Sequence, residues 1–343
     1  MRKLLNTLYV NTPDAYLSLD GENVVVNAEG QEIKRVPMHN LENIVTFGWQ
    51  GASPALMRHA CELGIGIAFF SSSGRFFCRV EGERRGNVLL RREQYRIADD
   101  KNRSLPIVRN MIGAKTLNSR SVLLRALRDH PMLPDSEKVS AAAYRLQRSI
   151  AEIRDADDID TIRGIEGSNA SAYYGVLGSL ILQGKDEFQF TARTKRPPTD
   201  RVNALLSFCY TLTANECASA LEAVGLDPYV GFLHTDRPGR RSLALDLMEE
   251  LRSVYCDRFV ISLINLRQVS GDGFFEKENG AIIMSDETRK AVLTVWHKRK
   301  QEIITHPFLG EKCEWGLLPF VQAQLLARYI RGDIDDYPPF IWK

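Results

Sequence analysis

Residues 234–252 read His-Thr-Asp-Arg-Pro-Gly-Arg-Arg-Ser-Leu-Ala-Leu-Asp-Leu-Met-Glu-Glu-Leu-Arg, a stretch that brings an imidazole, carboxylates and guanidiniums together. Pro238 and Gly239 mark a turn and Ser242 is a candidate N-cap. Leu243, Leu247, Leu251 and Val254 recur at helical spacing, which predicts a helix from about Leu243 past Arg252. On such a helix Asp246 and Glu249 stand about 60° apart, and Glu250 falls roughly 40° beyond Asp246, so two or three carboxylates share one face. Like charges this close repel unless a cation lies among them. His234 arrives on the preceding loop with Arg237, Arg240 and Arg241, and the combination points to a metal ion beside a polyanion.

A second stretch, Arg163-Gly-Ile-Glu-Gly-Ser-Asn-Ala-Ser-Ala-Tyr-Tyr-Gly, lies inside a predicted helix. Gly164, Gly167 and Gly175 each cost about 1 kcal/mol in a helix interior relative to alanine. Their grouping around Glu166 implies either a close backbone approach to a reachable carboxylate or a helix packed through its glycines with Glu166 merely exposed. Spacing alone does not separate the two.

The elements that must position these residues follow from the pattern of the whole chain. Residues 8–47 read as short strands, Leu17 to Leu19, Val24 to Val26 and Ile44 to Phe47, parted by Asp20-Gly21 and Glu29-Gly30 turns. Ser53 and Pro54 open a helix that Gly64 closes, and Ile65 to Val80 forms a hairpin about Ser72-Ser73-Gly74. A polar crossing between Gly82 and Pro106 separates this β-domain from predicted helices over Leu105 to Asp129, Ser136 to Ile153, Asp158 to Leu182, Thr199 to Val224, 242–258, 286–303 and 316–331. Residues 259–269 fit helix or strand, and Glu278-Asn-Gly-Ala centres a late hairpin. The expected fold is α+β: a small N-terminal β-domain (1–85), a crossing (86–105), a larger, mainly α-helical catalytic domain (106–332) and a loose or docking tail (333–343).

Composition bounds the class. A chain of 343 residues with 44% hydrophobic and 26% charged residues can bury more than one core. No apolar run approaches the roughly 18 residues of a membrane span, so a soluble, cytoplasmic protein without a membrane partner is expected. Six cysteines without a Cys-x-x-Cys pair argue against a disulfide framework or zinc knuckle. The net charge of +2 does not by itself favour nucleic acid, but thirteen Lys or Arg against five acids between Arg79 and Arg128, with Arg193-Thr-Lys-Arg and Lys298-Arg-Lys beyond, leave local basic fields able to meet a phosphate backbone.

These motifs carry a resemblance. Gly-Ile-Glu-Gly around Glu166, Arg193-Thr-Lys-Arg-Pro-Pro-Thr-Asp-Arg-Val-Asn-Ala-Leu-Leu-Ser, the Gly-Phe-Leu-His ending at His234, and Leu-Ala-Leu-Asp-Leu-Met-Glu-Glu-Leu-Arg closely resemble the first CRISPR-associated protein family, with the flavour of subtype I-C. The likeness runs from Gly86-Asn-Val-Leu-Leu-Arg-Arg-Glu-Gln-Tyr to Gln322-Ala-Gln-Leu-Leu-Ala-Arg-Tyr. It implies a metal-dependent DNA endonuclease and integrase of CRISPR adaptation, which inserts short spacers into the repeat array by 3′-hydroxyl attack on a phosphodiester. It implies one divalent metal held by Glu166, His234 and Glu249, with Asp246 one turn earlier as a further catalytic neighbour. One imidazole with oxygen ligands suits Mn²⁺ or Mg²⁺ better than zinc. Arg193, Lys195, Arg196, Arg237, Arg240 and Arg241 are the expected contacts to the backbone of double-stranded protospacer and repeat DNA. The resemblance further implies a homodimer through the β-domains and two such dimers flanking a dimer of the small second adaptation protein. A general repair or RNA-cleaving phosphodiesterase, and a non-catalytic DNA-binding scaffold, are the alternative readings.

Overall fold

The computed structural model describes the chain except residues 1–6, 11, 13, 42, 72–75, 81, 83–87, 134 and 343. The expected Ser72-Ser73-Gly74 turn, and Arg84 and Arg85 of the basic run, lie outside the described residues. Two compact units emerge: Met1–Arg85 with Asp272–Phe275 and Ile283–Glu302, and Gly86–Gly271 with Glu276–Ile282 and Ile303–Lys343.

The first unit carries β1 (Thr7–Val10), β2 (Tyr16–Asp20), β3 (Asn23–Ala28), β4 (Gln31–Pro37), β5 (Asn43–Phe47), α1 (Pro54–Leu63), β6 (Gly66–Phe70) and β7 (Phe76–Val80). Strands β2, β3 and β4 form an antiparallel meander, and a second sheet runs β1-β5-β6-β7 with only β7 antiparallel. The Ser53 hydroxyl caps α1 by accepting from Leu56 N at 3.2 Å, and Gly64 ends it at φ +73°, where a side chain would strain. Leu17, Val24, Met38, Ile44, Leu56 and Ile67 form the buried centre of this unit.

The second unit is helical: α2 (Val88–Asp99), α3 (Lys101–Asp129), α4 (Ser136–Asp155), α5 (Ile159–Leu177), α6 (Arg201–Ala223), α7 (Ser242–Glu249) and α8 (Arg258–Asn265). The expected polar crossing at 86–105 is corrected by α2, whose charged residues form an exposed face while Leu90, Gln94 and Ile97 are buried. Asp100 then caps α3, accepting from Asn102 N at 2.9 Å. The helix expected over 242–258 is not continuous. It is α-helical through Glu249 and π-helical from Arg252 to Asp257, and Ser242 is its first residue and not its cap. Two short hairpins follow, β8 (Phe274–Glu276) with β9 (Ile282–Met284) and, after α9 (Asp286–Lys300), β10 (Ile303–Thr305) with β11 (Lys312–Glu314). Helix α10 (Leu318–Arg331) precedes the tail.

Helix α9 packs in the first unit, with Trp296 fully buried and the Arg289 guanidinium 5.1 Å from the Phe47 ring. Residues 283–302, expected within the mainly α-helical domain over 106–332, thus belong to the first compact unit. All six cysteines are free.

Candidate active site

The loop before α7 is shaped by one carboxylate. Asp246 is fully buried; its Oδ2 accepts from the backbone N–H of Phe232 at 2.7 Å and of Leu233 at 3.0 Å. Its Oδ1 accepts from the N–H of His234 at 3.0 Å and from His234 Nδ1 at 2.6 Å. A carboxylate bound by four donors has no capacity left for a ligand and fixes the loop instead. The contact orients the ring with Nδ1 toward Asp246 and leaves Nε2, which makes no hydrogen bond among the described residues, available as a ligand atom. A Cβ at Gly231 would stand 2.7 Å from Asp246 Oδ2 and 2.8 Å from Ser242 Cβ, so this loop can close on α7 only with glycine there.

Two other elements hold the same loop. The buried Gln94 of α2 donates to the carbonyls of Asp227 and Val230, both at 2.8 Å, and accepts from Asp227 N at 2.9 Å. From α5, Arg163 donates through Nε to the Leu233 carbonyl at 3.1 Å, one residue before the histidine and one turn before Glu166.

Helix α5, capped by Asp158 accepting from Thr161 N at 2.8 Å, carries Glu166. Its carboxylate is ion-paired to Lys115 of α3, whose Nζ also lies 2.7 Å from Glu249 Oε2. Arg252 meets the other oxygen of Glu249 at 2.7 Å. Burial pushes the Glu249 carboxyl up, but the charges of Arg252, Lys115 and His234 outweigh it and hold the group down at about 2. Glu250, equally buried, has no cationic partner among the described residues, and burial raises it to about 7 against hydrogen bonds from Tyr337, Phe340 and Gln322. The expectation of two or three carboxylates sharing one cation is corrected: Asp246 faces the loop, Glu249 faces Lys115 and Arg252, and Glu250 faces the chain end. A helix presents its sides over about 100° per residue, and here each side meets a different neighbour.

Glu166 lines a narrow cleft together with residues that include Lys115, Asn169, Tyr173, Tyr174, Arg252 and Asp257. Tyr210 donates to Asp257 and shares a 2.8 Å hydrogen bond with Tyr174, while the guanidiniums of Arg193 and Arg252 lie 5.2 and 5.0 Å from the Tyr210 ring. Around Glu166 the glycines are open. A Cβ at Gly164, Gly167 or Gly175 would meet nothing within 4 Å, so no packing among the described residues requires them.

The six basic residues divide. Arg193 donates to Asn203 Oδ1 at 2.7 Å and to Ser207 Oγ at 2.9 Å and braces α6; Arg240 binds Ser242 and Thr235, and Arg241 binds Asn215 at 2.5 Å. Lys195, Arg196 and Arg237 are exposed and form no side-chain hydrogen bond or ion pair among the described residues. Lys115, Arg252, Arg163 and Gln94 were not singled out from sequence. Gln94 sits between Leu90 and Ile97 on an otherwise apolar face of α2, and that misfit is the signal that finds it, whereas Lys115 shares its buried face with Thr116, Asn118 and Ser119 and stands out less.

Among the described residues no three His, Cys, Asp or Glu side chains are gathered around one point, because Lys115 stands between Glu166 and Glu249. The donors nevertheless suit a divalent ion: Glu249 Oε2 is buried and meets only the Lys115 ammonium among the described residues, Glu166 is partly exposed, and His234 Nε2 makes no hydrogen bond among them.

The profile of the family described as "CRISPR associated protein Cas1" matches residues 8–298. A "CRISPR-associated endonuclease Cas1 1" from Chlorobaculum tepidum is 49% identical over 343 residues, all of this chain and all of that one. In fold, a casposase bound to its integration product superposes with a TM-score of 0.84 at 21% identity, over 99% of this chain and 95% of that one. A chain of a Cas6-RT-Cas1–Cas2 complex gives 0.82 at 20% identity, over 99% of this chain and 36% of that one. On the family match and the full-length relative, this chain belongs to the Cas1 family of CRISPR-associated endonucleases.

Proposed function

We propose that this chain is the DNA endonuclease and integrase of CRISPR adaptation, joining short duplexes to a repeat array by phosphoryl transfer, with the subtype I-C character carried by its motifs. The observation that carries the reading is Lys115 bridging Glu166 and Glu249, with the His234 ring fixed by Asp246 and acting on the Glu249 charge.

Glu166, Glu249 and His234 Nε2 would hold one Mn²⁺ or Mg²⁺, which supplies Lewis-acid polarisation of the phosphate and lowers the pKa of water or of a 3′-hydroxyl. Asp246 orients the imidazole as a ligand and is a positioning residue, not a third acidic ligand. Lys115 holds the two carboxylates at one place and is a cation available to the phosphate once it leaves them. Lys195, Arg196 and Arg237 track the DNA backbone, whereas Arg193, Arg240 and Arg241 chiefly hold the protein together. Water as nucleophile gives cleavage, and a 3′-hydroxyl gives insertion.

The relatives frame the partners. The Cas6-RT-Cas1–Cas2 complex supports a second adaptation protein of the Cas2 kind, and the casposase complex supports DNA. A homodimer through the β-unit fits its exposed Trp49, 76% accessible and 4.7 Å in ring centroids from Phe77. Among the described residues no helix is long and apolar enough to cross a membrane, in keeping with action on DNA in the cytoplasm. The test is strand transfer of a short duplex into a repeat-containing plasmid with Mn²⁺ or Mg²⁺. Glu166→Ala and His234→Ala are expected to abolish it while folding, and full activity in excess chelator would refute the reading.

A further inference from the structure

The chain's last residues dock on the site rather than trail from it. Glu250 Oε1 accepts from the Tyr337 hydroxyl at 2.5 Å, and Oε2 accepts from Gln322 Nε2 at 2.7 Å and from Phe340 N at 2.8 Å. Where α-helix gives way to π-helix the carbonyl pattern is interrupted, and the Glu250 carbonyl accepts instead from Asn118 Nδ2 at 2.7 Å. Asn118 also donates to the Phe340 carbonyl at 2.8 Å and accepts from Trp342 N at 2.8 Å. Asn110, two turns earlier on α3, donates to Asp336 Oδ1 at 2.8 Å and to the Tyr337 carbonyl at 2.9 Å. The Phe340 ring meets Trp315 edge-on at 5.8 Å, and Trp315 stacks on Tyr255 of the π-turn at 5.6 Å.

We propose that segment 336–342 is a positioning clamp for the catalytic centre, in which Tyr337, Phe340 and Asn118 fix Glu250 and thereby set the place of Glu249 opposite Lys115. It rests on the reading of Glu249 as a site residue. The clamp ties the two helices whose side chains meet there: Asn118 is one turn from Lys115 on α3, and Glu250 is the residue after Glu249 at the end of α7. Without the segment, Glu250 loses two of its three side-chain donors and Asn118 two of its partners. Both are fully buried, so the helix end must shift to find water or new partners.

The test uses Tyr337→Phe and, as a variant remote from the site, Asn110→Ala. Measured are kcat and KM for DNA strand transfer per folded molecule, Mn²⁺ affinity by calorimetry, and amide exchange over 246–254. Tyr337→Phe is expected to lower kcat about 10-fold, weaken Mn²⁺ and speed exchange over 246–254 while KM for DNA stays within about twofold, the range found for side chains that orient metal ligands. Asn110→Ala is expected to move the same three quantities in the same direction by a smaller factor. A lower melting temperature with kcat and Mn²⁺ affinity unchanged in both variants would reduce the segment to a structural strap and overturn the proposal, as would unchanged exchange over 246–254. A wild-type protein that neither binds Mn²⁺ nor joins DNA would overturn the catalytic reading instead, leaving the exchange data to judge the clamp.

Discussion

Replacing Asp246 by alanine separates a residue that organises the site from one that takes part in it. The substitution deletes the acceptors of three backbone N–H groups, those of Phe232, Leu233 and His234, together with the partner of the imidazole. A buried donor left unpaired costs about 1–3 kcal/mol, and water reaches the half-buried His234 more easily than the other two, so the total loss should be about 3–5 kcal/mol. That is a large fraction of the roughly 5–15 kcal/mol that holds a domain folded, and for a unit of this size it lowers the melting temperature by about 10 °C. With Asp246 only a neighbour of the ligands, as the family resemblance implies, Asp246→Ala ought to be milder than Glu166→Ala, His234→Ala or Glu249→Ala. The structure reverses that order. Asp246→Ala should lose both strand transfer and thermal stability, whereas His234→Ala should lose strand transfer with the smaller cost of about 1–2 kcal/mol, since it removes one hydrogen bond to Asp246 and leaves that carboxylate its three backbone donors. Scanning calorimetry beside the plasmid assay reads both. An Asp246→Ala protein that melts like wild type would refute the reasoning, because the loop would then not depend on that carboxylate.

Glu249, held at about 2 against an ordinary 4.5, contributes stability that is complete above about pH 4.5 and is lost as pH falls toward 2; the stability gap between wild type and Glu249→Gln should therefore close over that acid range, and a gap independent of pH would count against the Lys115 and Arg252 pairing. Charge reversal at Lys195, Arg196 and Arg237 should flatten the salt dependence of duplex binding by about 0.9 of a log–log unit per lost phosphate contact, while Arg193→Glu should first unfold the start of α6; equal salt slopes for wild type and the triple variant would exclude those residues from the DNA path. Gly167→Ala should raise stability by about 0.5–1 kcal/mol because its methyl meets nothing in the free chain, yet impair strand transfer if DNA lies along that face of α5, and unimpaired transfer would place the DNA elsewhere.

Much of the fold is legible in sequence because local signals agree. The Ser53-Pro54 start and Gly64 stop of α1, the turns at Gly21 and Gly30, and the apolar spacing of α4 and α6 each specify their element without help from afar. Helix α2 is hidden because the middle of its buried stripe is Gln94, polar by composition but committed to three hydrogen bonds on a loop more than 130 residues away. The return of α9 to the first unit is hidden as well, since a basic amphipathic helix carries no sign of which core it will join.

The site shows the same division at the level of single residues. Asp246, Glu249 and Glu250 look alike in a helical projection and invite one explanation, a shared cation. Their roles diverge because each meets an element remote in sequence: the Gly231 loop, the middle of α3, and the chain end. The α-to-π transition after Glu249 sharpens this separation, since it breaks the regular sequence of carbonyl acceptors and leaves the Glu250 carbonyl to Asn118. A carboxylate stays ionised in a buried place only where cations or several donors meet it, and the chain supplies two cations to Glu249 and hydrogen-bond donors alone to Glu250. The identity of the neighbour therefore decides which of two adjacent glutamates faces the chemistry and which holds the chain end.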